Sequence, residues 1–244
     1  MSPMMIIAKR EFRSYFGSPL AYVVICLTFL LLGLAIFWVG GFWKVDRASM
    51  HLLFQYMPVA LAVLIVPVVT MRSMAEEKRS GTLEMLITLP VKDSDVILGK
   101  YLGALGLVLM VVLATALYPL AMFWAPWNLG PLDMGPVWSG YIGLVLFSGT
   151  AVAIGLLASS LTDSQAVAFF ITFFVLVVLW FMGTLAEHVE KAWLADALTY
   201  MSFQSRLEGF SRGLIDTRDV VFFLSAMALA LVTSFRALER RRWV

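Results

Sequence analysis

The chain has 244 residues and a formal net charge of +2, with 61% hydrophobic residues and only 14% charged ones. Its mean hydropathy is +0.89. A water-facing surface on a chain of this size needs more charged residues, so the composition excludes a soluble enzyme and predicts an integral membrane protein. The small net charge also gives no reason to expect a nucleic-acid partner.

Six apolar stretches follow one another along the chain, most of them near the length that crosses a hydrocarbon layer about 30 Å thick. Their apolar character is continuous, which indicates helices and excludes the alternating strands of an outer-membrane barrel. We therefore predict an all-α membrane protein with six transmembrane helices. The predicted spans are residues 20–42, 52–71, 101–124, 137–160, 166–186 and 220–235.

The Lys and Arg residues between the spans predict the orientation. Six spans place both termini on one side, and that side holds twelve of these residues against six on the other. Because basic loops stay in the cytoplasm, both termini are predicted to be cytoplasmic. Indole rings prefer the headgroup layer, and tryptophans at the predicted outer boundaries favour the same orientation: Trp43, Trp124, Trp127 and Trp138.

Residues 1–19 are predicted to form an interfacial helix. Met5, Ala8 and Phe12 recur at helical spacing, whereas Arg10 lies on the other side with its basic neighbours. This pattern is typical of a helix that lies on an anionic leaflet. The helix is expected to lead into the first span at Pro19, which suits the first turn of a helix.

The six apolar runs contain no Asp, Glu, Lys, Arg or His, which disfavours an ion-coupled carrier. Cys26 has no disulfide partner, and His51 and His188 lack the spacing of metal ligands. The Gly-Lys pair at 99–100 does not complete a phosphate-binding loop. Ser148 has no base in any span to activate it, so an intramembrane protease is also disfavoured. No catalytic, cofactor or metal residue is predicted, and any ATP must be hydrolysed by another subunit.

The longest predicted cytoplasmic loop is 72–99. A charged cluster is followed by Thr82, which suits a helix N-cap, and by Pro90, which would end that short helix. Asp93 suits the start of the next helix. The pattern fits a solvated loop whose basic residues keep it in the cytoplasm, and it fits a docking surface equally well.

Segment 187–219 is too long for a simple outer connector. Val189, Trp193, Ala197 and Met201 step by four residues, which predicts an amphipathic helix on the outer leaflet. A lid over an exit path and a membrane-surface anchor are equally compatible with this pattern.

Three stretches resemble a known family, the membrane subunits of ABC-2 type transporters, and within it the gliding-motility and nitrous-oxide-maturation branch. They are KREFRSYFGSPLAY at 9–22, EEKRSGTLE at 76–84 with LPV at 89–91, and FSRGLID at 210–216 with Asp219. The second stretch is similar to the cytoplasmic coupling segment that ABC-2 permeases share more widely, and it is the most specific of the three.

The resemblance implies that residues 1–244 form a single ABC-2 type transmembrane domain, the non-catalytic permease subunit of an exporter. Such a subunit is expected to pair with a second copy or a close relative and to bind two ATPase subunits, which carry the ATP and Mg. An auxiliary extracytoplasmic protein and membrane lipid are further expected partners.

The resemblance also implies three sets of site residues. The ATPase-coupling residues would be Glu76, Glu77, Lys78, Arg79, Ser80, Gly81, Thr82, Leu83 and Glu84. A second coupling loop would be Thr162, Asp163, Ser164 and Gln165. An extracytoplasmic gate would contain Trp193, Phe210, Arg212 and Gly213.

A second hypothesis is an energy-transducing membrane anchor, which would pass ATPase motion to extracytoplasmic partners without translocating a substrate. Segment 187–219 discriminates between the two, because it would cover a cavity in an exporter and contact a partner protein in an anchor. The substrate itself is not indicated by the sequence.

Overall fold

A computed structural model describes residues 2–39, 50–81, 93–119 and 133–239. Six helices in this part of the chain are long and apolar enough to cross a membrane, and the same residues contain no strand. The structure confirms the prediction of an all-α protein with six transmembrane helices.

The helices follow the order that the apolar pattern predicts. An N-terminal helix, Pro3–Phe16, precedes the first span, Pro19–Leu34, which continues as the π-helix Ala35–Val39. The second span has three consecutive segments and is followed by a short helix: His51–Ala60, the π-helix Leu61–Ile65, Val66–Met71, and then Ala75–Arg79.

The rest of the chain contributes four spans and two short helices. The third, fourth, fifth and sixth spans are Asp93–Ala114, Met134–Leu161, Gln165–Ala186 and Thr217–Glu239. Between the fifth and sixth spans lie Ala192–Met201 and Phe203–Ser211.

Prolines account for the irregular second span. Pro58 lies inside its first segment and Pro67 begins its third, with the π-helix between them. Proline removes a backbone donor and crowds the preceding turn, and a wider π turn is one way in which a helix absorbs this disruption. The first span begins at Pro19, as predicted, because a first-turn residue needs no backbone N–H.

The fourth span is the centre of the bundle. A Cβ on Gly149 would lie 2.6 Å from Met227 of the sixth span and 3.1 Å from the Tyr101 hydroxyl of the third. A Cβ on Gly140 would lie 2.5 Å from the Phe54 ring of the second span. The small residues of the fourth span therefore let three neighbours approach its backbone, which is the packing role expected of them.

The bundle has two ends, defined by the alternating direction of the spans. The Lys100 end comprises residues 10–18, 72–81, 93–100 and 159–165, and the Arg206 end comprises 50–54, 133–143 and 183–218. These names are used below for the two groups of residues.

The helix of the third span begins at Asp93, where the sequence predicts a helix start, and thus before the apolar run that begins at 101. Segment 187–219 is not one amphipathic helix, because Val189 precedes the first helix and Ser202 separates two helices. The Ser202 hydroxyl accepts a hydrogen bond from the Ser205 N–H at 3.3 Å, which caps the second of them.

Candidate functional site

The predicted coupling segment continues directly from the second span. Its described part, Glu76 to Gly81, contains the end of the short helix and a turn in which Gly81 has φ +70°. A left-handed backbone of this kind strongly favours glycine. Thr82, Leu83 and Glu84, together with the predicted cap and stop of the coupling helix, lie outside the described residues.

Glu77 joins this segment to two other parts of the bundle. Its Oε1 lies 2.8 Å from the Lys100 Nζ of the third span and 3.3 Å from the Arg10 Nη2 of the N-terminal helix. The Lys100 Nζ also lies 3.6 Å from the Glu11 Oε2. We call Arg10, Glu11, Glu77 and Lys100 the Lys100 cluster.

The Lys100 side chain is almost completely buried, with 1% of its surface exposed. Burying a lone ammonium is very costly, and this one is compensated by two carboxylates and by the Ser73 carbonyl, to which its Nζ donates at 2.7 Å. The carboxylates of Glu11 and Glu77 are 11% and 18% exposed, whereas Arg10 is 57% exposed. The cluster thus runs from a buried ammonium to a solvated guanidinium.

Burial also acts on Glu11. Desolvation raises the pKa of its carboxyl above the ordinary value of 4.5, although Lys100 acts in the opposite direction. The neighbouring Glu77 carboxylate adds to the increase. Removal of the Glu11 proton therefore costs more than it would in water.

The N-terminal helix packs closely on the third span. A Cβ on Gly99 would lie 2.8 Å from Ile7, and one on Gly103 would lie 2.7 Å from Glu11. Two glycines four residues apart share one helix face, so they form a shallow site for the helix that crosses them. The buried face of the N-terminal helix contains Ala8 and Tyr15, as the apolar spacing predicts, and also Glu11, which that spacing does not predict.

The fourth span holds the same segment from its other side. The Ser159 hydroxyl accepts hydrogen bonds from the backbone N–H groups of Met74 and Ala75, each at 3.0 Å. Lys78 donates to the Ser160 carbonyl. The predicted second coupling loop follows directly: residues 162–164 lie between the fourth and fifth spans, and Gln165 begins the fifth. The loop therefore starts two residues after Ser160, the partner of Lys78.

The four predicted gate residues lie at the Arg206 end and differ in their exposure. Trp193 is 70% exposed, whereas Phe210 is 1% exposed and its carbonyl accepts a hydrogen bond from the Ser139 hydroxyl at 2.6 Å. Arg212 is exposed and pairs with Glu208. The fourth residue, at position 213, is a glycine with φ +91° that packs against Pro136.

A comparison of the sequence with models of protein families identifies the family of this chain. The model of the ABC-2 family transporter proteins matches residues 44–235, well over half of the chain. The chain belongs to the ABC-2 transporter family. No curated protein matches it.

Membership of the ABC-2 family makes the chain a multi-pass membrane subunit of an ABC transporter. Permeases of this family are typically non-catalytic subunits that work with ABC ATPase subunits and another permease. In this ABC-2 permease, the Lys100 cluster joins the N-terminal helix, the short helix after the second span, and the third span.

Sequence reasoning missed two members of the Lys100 cluster. Lys100 is one of the twelve basic residues that predict the orientation in the membrane, and the sequence predicts no role for Glu11. The one local signal is that Gly99 and Gly103 flank Lys100 at a four-residue spacing, which indicates a close helix contact beside a charge.

Proposed function

We propose that the chain is the permease subunit of an ABC-2 exporter in a bacterial inner membrane, with both termini in the cytoplasm. Two such subunits, identical or closely related, would work with two ATPase subunits that bind ATP and Mg. The proposed orientation is supported by the excess of Lys and Arg on the side of the termini. The stretch at 9–22 supports placement in the gliding-motility and nitrous-oxide-maturation branch.

The observation that carries the proposal is the position of Glu77. It belongs to the segment proposed to enter the ATPase, and it is ion-paired with Arg10 of the N-terminal helix and Lys100 of the third span. Movement of residues 76–84 would either move those two elements or break a largely buried ion pair. Because breaking such a pair is costly, concerted movement is the favoured response.

The fourth span would receive the same movement by a different route. Ser159 holds the backbone N–H groups of Met74 and Ala75, and Ser160 accepts from Lys78. We propose that residues 162–165 form the second, smaller contact with the ATPase. Two contacts on one side of the bundle would let the ATPase act on the second to fifth spans together.

The test is co-purification of the full chain with its candidate ATPase, with measurement of subunit stoichiometry and ATP turnover. Glu77→Ala removes the ion pairs, and Gly81→Pro forbids the observed positive φ. Glu208→Ala, an exposed carboxylate at the Arg206 end, is the matched control.

A complex of two permeases and two ATPases that loses coupled turnover in the Glu77 and Gly81 variants, and retains it in the Glu208 variant, would support the proposal. Absence of binding, or turnover unchanged in all three variants, would rule it out. Uptake into inverted vesicles would then establish the direction of transport.

The energy-transducing anchor is the second proposed function, and an exposed apolar surface at the Arg206 end favours it. Trp193, Tyr200 and Leu214 are each at least 60% exposed. An extracytoplasmic auxiliary protein would cover such residues in an anchor. Crosslinking from Trp193 to a single protein in intact cells, together with ATP-dependent function in the absence of any vesicle transport, would favour the anchor over the exporter.

A further inference from the structure

A cavity of about 410 Å³ lies at the Lys100 end, lined by residues of the N-terminal helix and the first three spans. Small-molecule sites in proteins commonly occupy about 300–1,000 Å³. The cavity is therefore large enough to accept part of an organic ligand.

The lining of the cavity changes from polar to apolar along each span. On the second span it runs from Arg72 to Ile65, and on the third from Lys100 to Val111. The first span contributes Val24 at the apolar end. Since the polar residues of all these elements meet at the same end, the cavity is amphipathic and matches a ligand with a polar head and an apolar tail.

The polar end has a cation whose donors are not all used. Arg10 and Lys100 are paired with Glu77, but Arg72 forms no ion pair with any described residue. The Arg72 Nη1 donates to the Ser18 hydroxyl at 3.1 Å, while its Nε is buried without a partner. The Ser73 hydroxyl, on a residue that is 1% exposed, also lacks a partner. A guanidinium beside a hydroxyl suits a phosphate group, which needs several donors.

An acid lines the same polar end. Glu76 is exposed and forms no ion pair with the described residues. Arg72 and Glu76 thus present a separate positive and negative charge to one cavity. A zwitterionic phospholipid head with a primary amine carries the complementary pair, a phosphate and an ammonium that can donate hydrogen bonds.

We propose that this cavity binds a phosphatidylethanolamine-type phospholipid. The phosphate would pair with Arg72 and Ser73, the ammonium would face Glu76, and one acyl chain would follow the apolar lining between the first three spans. The site shares Glu76 with the proposed coupling segment, and it does not require the lipid to be transported.

The proposal predicts a headgroup preference that can be measured on the full chain. The protein is purified in detergent, stripped of lipid, and titrated with dioleoyl phosphatidylethanolamine, phosphatidylcholine or phosphatidylglycerol, with bound lipid counted by native mass spectrometry. Phosphatidylethanolamine should bind most tightly. Arg72→Gln should weaken its binding about tenfold, which corresponds to one charge-assisted interaction. Glu76→Gln should weaken the binding of phosphatidylethanolamine more than that of phosphatidylcholine, because only the primary ammonium also donates hydrogen bonds to the carboxylate.

Matched variants separate binding from folding. Arg236→Gln alters an exposed arginine at the end of the sixth span and should bind lipid as the wild type does. Ile25→Trp should fill the apolar part and abolish binding, whereas Leu31→Trp, on the exposed face of the same helix, should not. If Arg72→Gln does not fold, Arg72→Lys keeps the charge without the planar fork and should still weaken binding severalfold.

A soluble headgroup distinguishes a lipid site from a simple phosphate site. Glycerophosphoethanolamine should compete poorly, because it lacks the acyl chain. Equal competition by this compound, or equal binding of the three lipids with no effect of Arg72→Gln or Glu76→Gln, would overturn the proposal.

Discussion

Both ends of the bundle contain a buried ion pair, but the two pairs differ in how far apart in the chain the residues that they join lie. At the Lys100 end, Glu77 pairs with Arg10, 67 residues away, and with Lys100 of a third element. At the Arg206 end, Arg206 pairs with Asp219, 13 residues away, at 2.6 Å. The first pair connects elements that are far apart in the chain, whereas the second connects a short helix to the start of the span that follows it.

The surroundings of Arg206 explain its local role. Its guanidinium donates to the Tyr200 carbonyl and lies 4.0 Å from the Tyr200 ring centroid and 4.8 Å from that of Phe222. Arg206 lies in the second short helix, and these partners belong to the first short helix and the start of the sixth span. The ion pair at the Arg206 end thus joins neighbouring segments, whereas those of the Lys100 cluster join elements that are far apart in the chain.

The largest expected effect is that of Lys100→Met. It leaves Glu11 and Glu77 buried near each other without their ammonium, and we expect the free energy of unfolding in detergent to fall by about 3–5 kcal/mol. Replacing the whole group by Lys100→Met, Glu11→Gln and Glu77→Gln should recover most of this loss, because no uncompensated charge remains. A triple variant no more stable than Lys100→Met would show that the charges are not the cause.

Arg206→Met should cost about 2 kcal/mol, since it removes a charged hydrogen bond and stacking on Tyr200. ATP turnover in the complex with the ATPase should remain coupled, in contrast to Glu77→Ala. The exposed pair of Arg212 and Glu208 supplies the control, because Arg212→Ala should change stability by at most about 0.5 kcal/mol. Uncoupled turnover in Arg206→Met would remove the distinction between the two ends.

Each end also contains a glycine with a positive φ. Gly81→Ala should destabilise the protein by about 1 kcal/mol through backbone strain alone, because an added Cβ would meet nothing within 4 Å. Gly33→Ala has equal space and no positive φ, so chemical denaturation should show no loss of stability in that variant. Equal effects in these two variants would contradict the strain argument.

The smallest expected effect is that of Glu11→Gln on the dependence of stability on pH. The pKa of Glu11 is raised in the folded protein, so the folded state retains this proton to a higher pH than the unfolded chain does. Its contribution to stability is present below 4.5 and is lost as the pH rises through the folded pKa. Thermal unfolding in detergent should therefore show a wild-type Tm that falls over this range relative to Glu11→Gln. Glu208→Gln should keep the wild-type slope, and a slope unchanged by Glu11→Gln would contradict the prediction.

The predicted fold was correct because its signals are local. Each span is indicated by a continuous apolar run, and Pro19 indicates the start of the helix in which it lies. The start of the third helix is a local signal too. Asp93 suits a helix start, and the helix begins there, although the apolar run itself begins only at 101, after Lys100.

The candidate site was predictable only in part. The coupling segment at 76–84 was predicted from its similarity to that of ABC-2 permeases, and residues 162–165 were predicted as a smaller second contact. Nothing in the sequence near Glu11 or Ser159 indicates that the first pairs with Lys100 or that the second holds the backbone of Met74. Those partners are distant in the chain, and periodicity carries no information about which helix faces another.

The sequence by itself determined that this protein crosses a membrane six times, in which order, and with its basic residues mainly on one side, because transfer into lipid depends on the composition of each segment separately. Only the tertiary structure decided that Lys100 is buried rather than solvated. The cost of burying an ammonium depends on whether carboxylates stand beside it, and the carboxylates of Glu11 and Glu77 reach it only when three separate helices pack together.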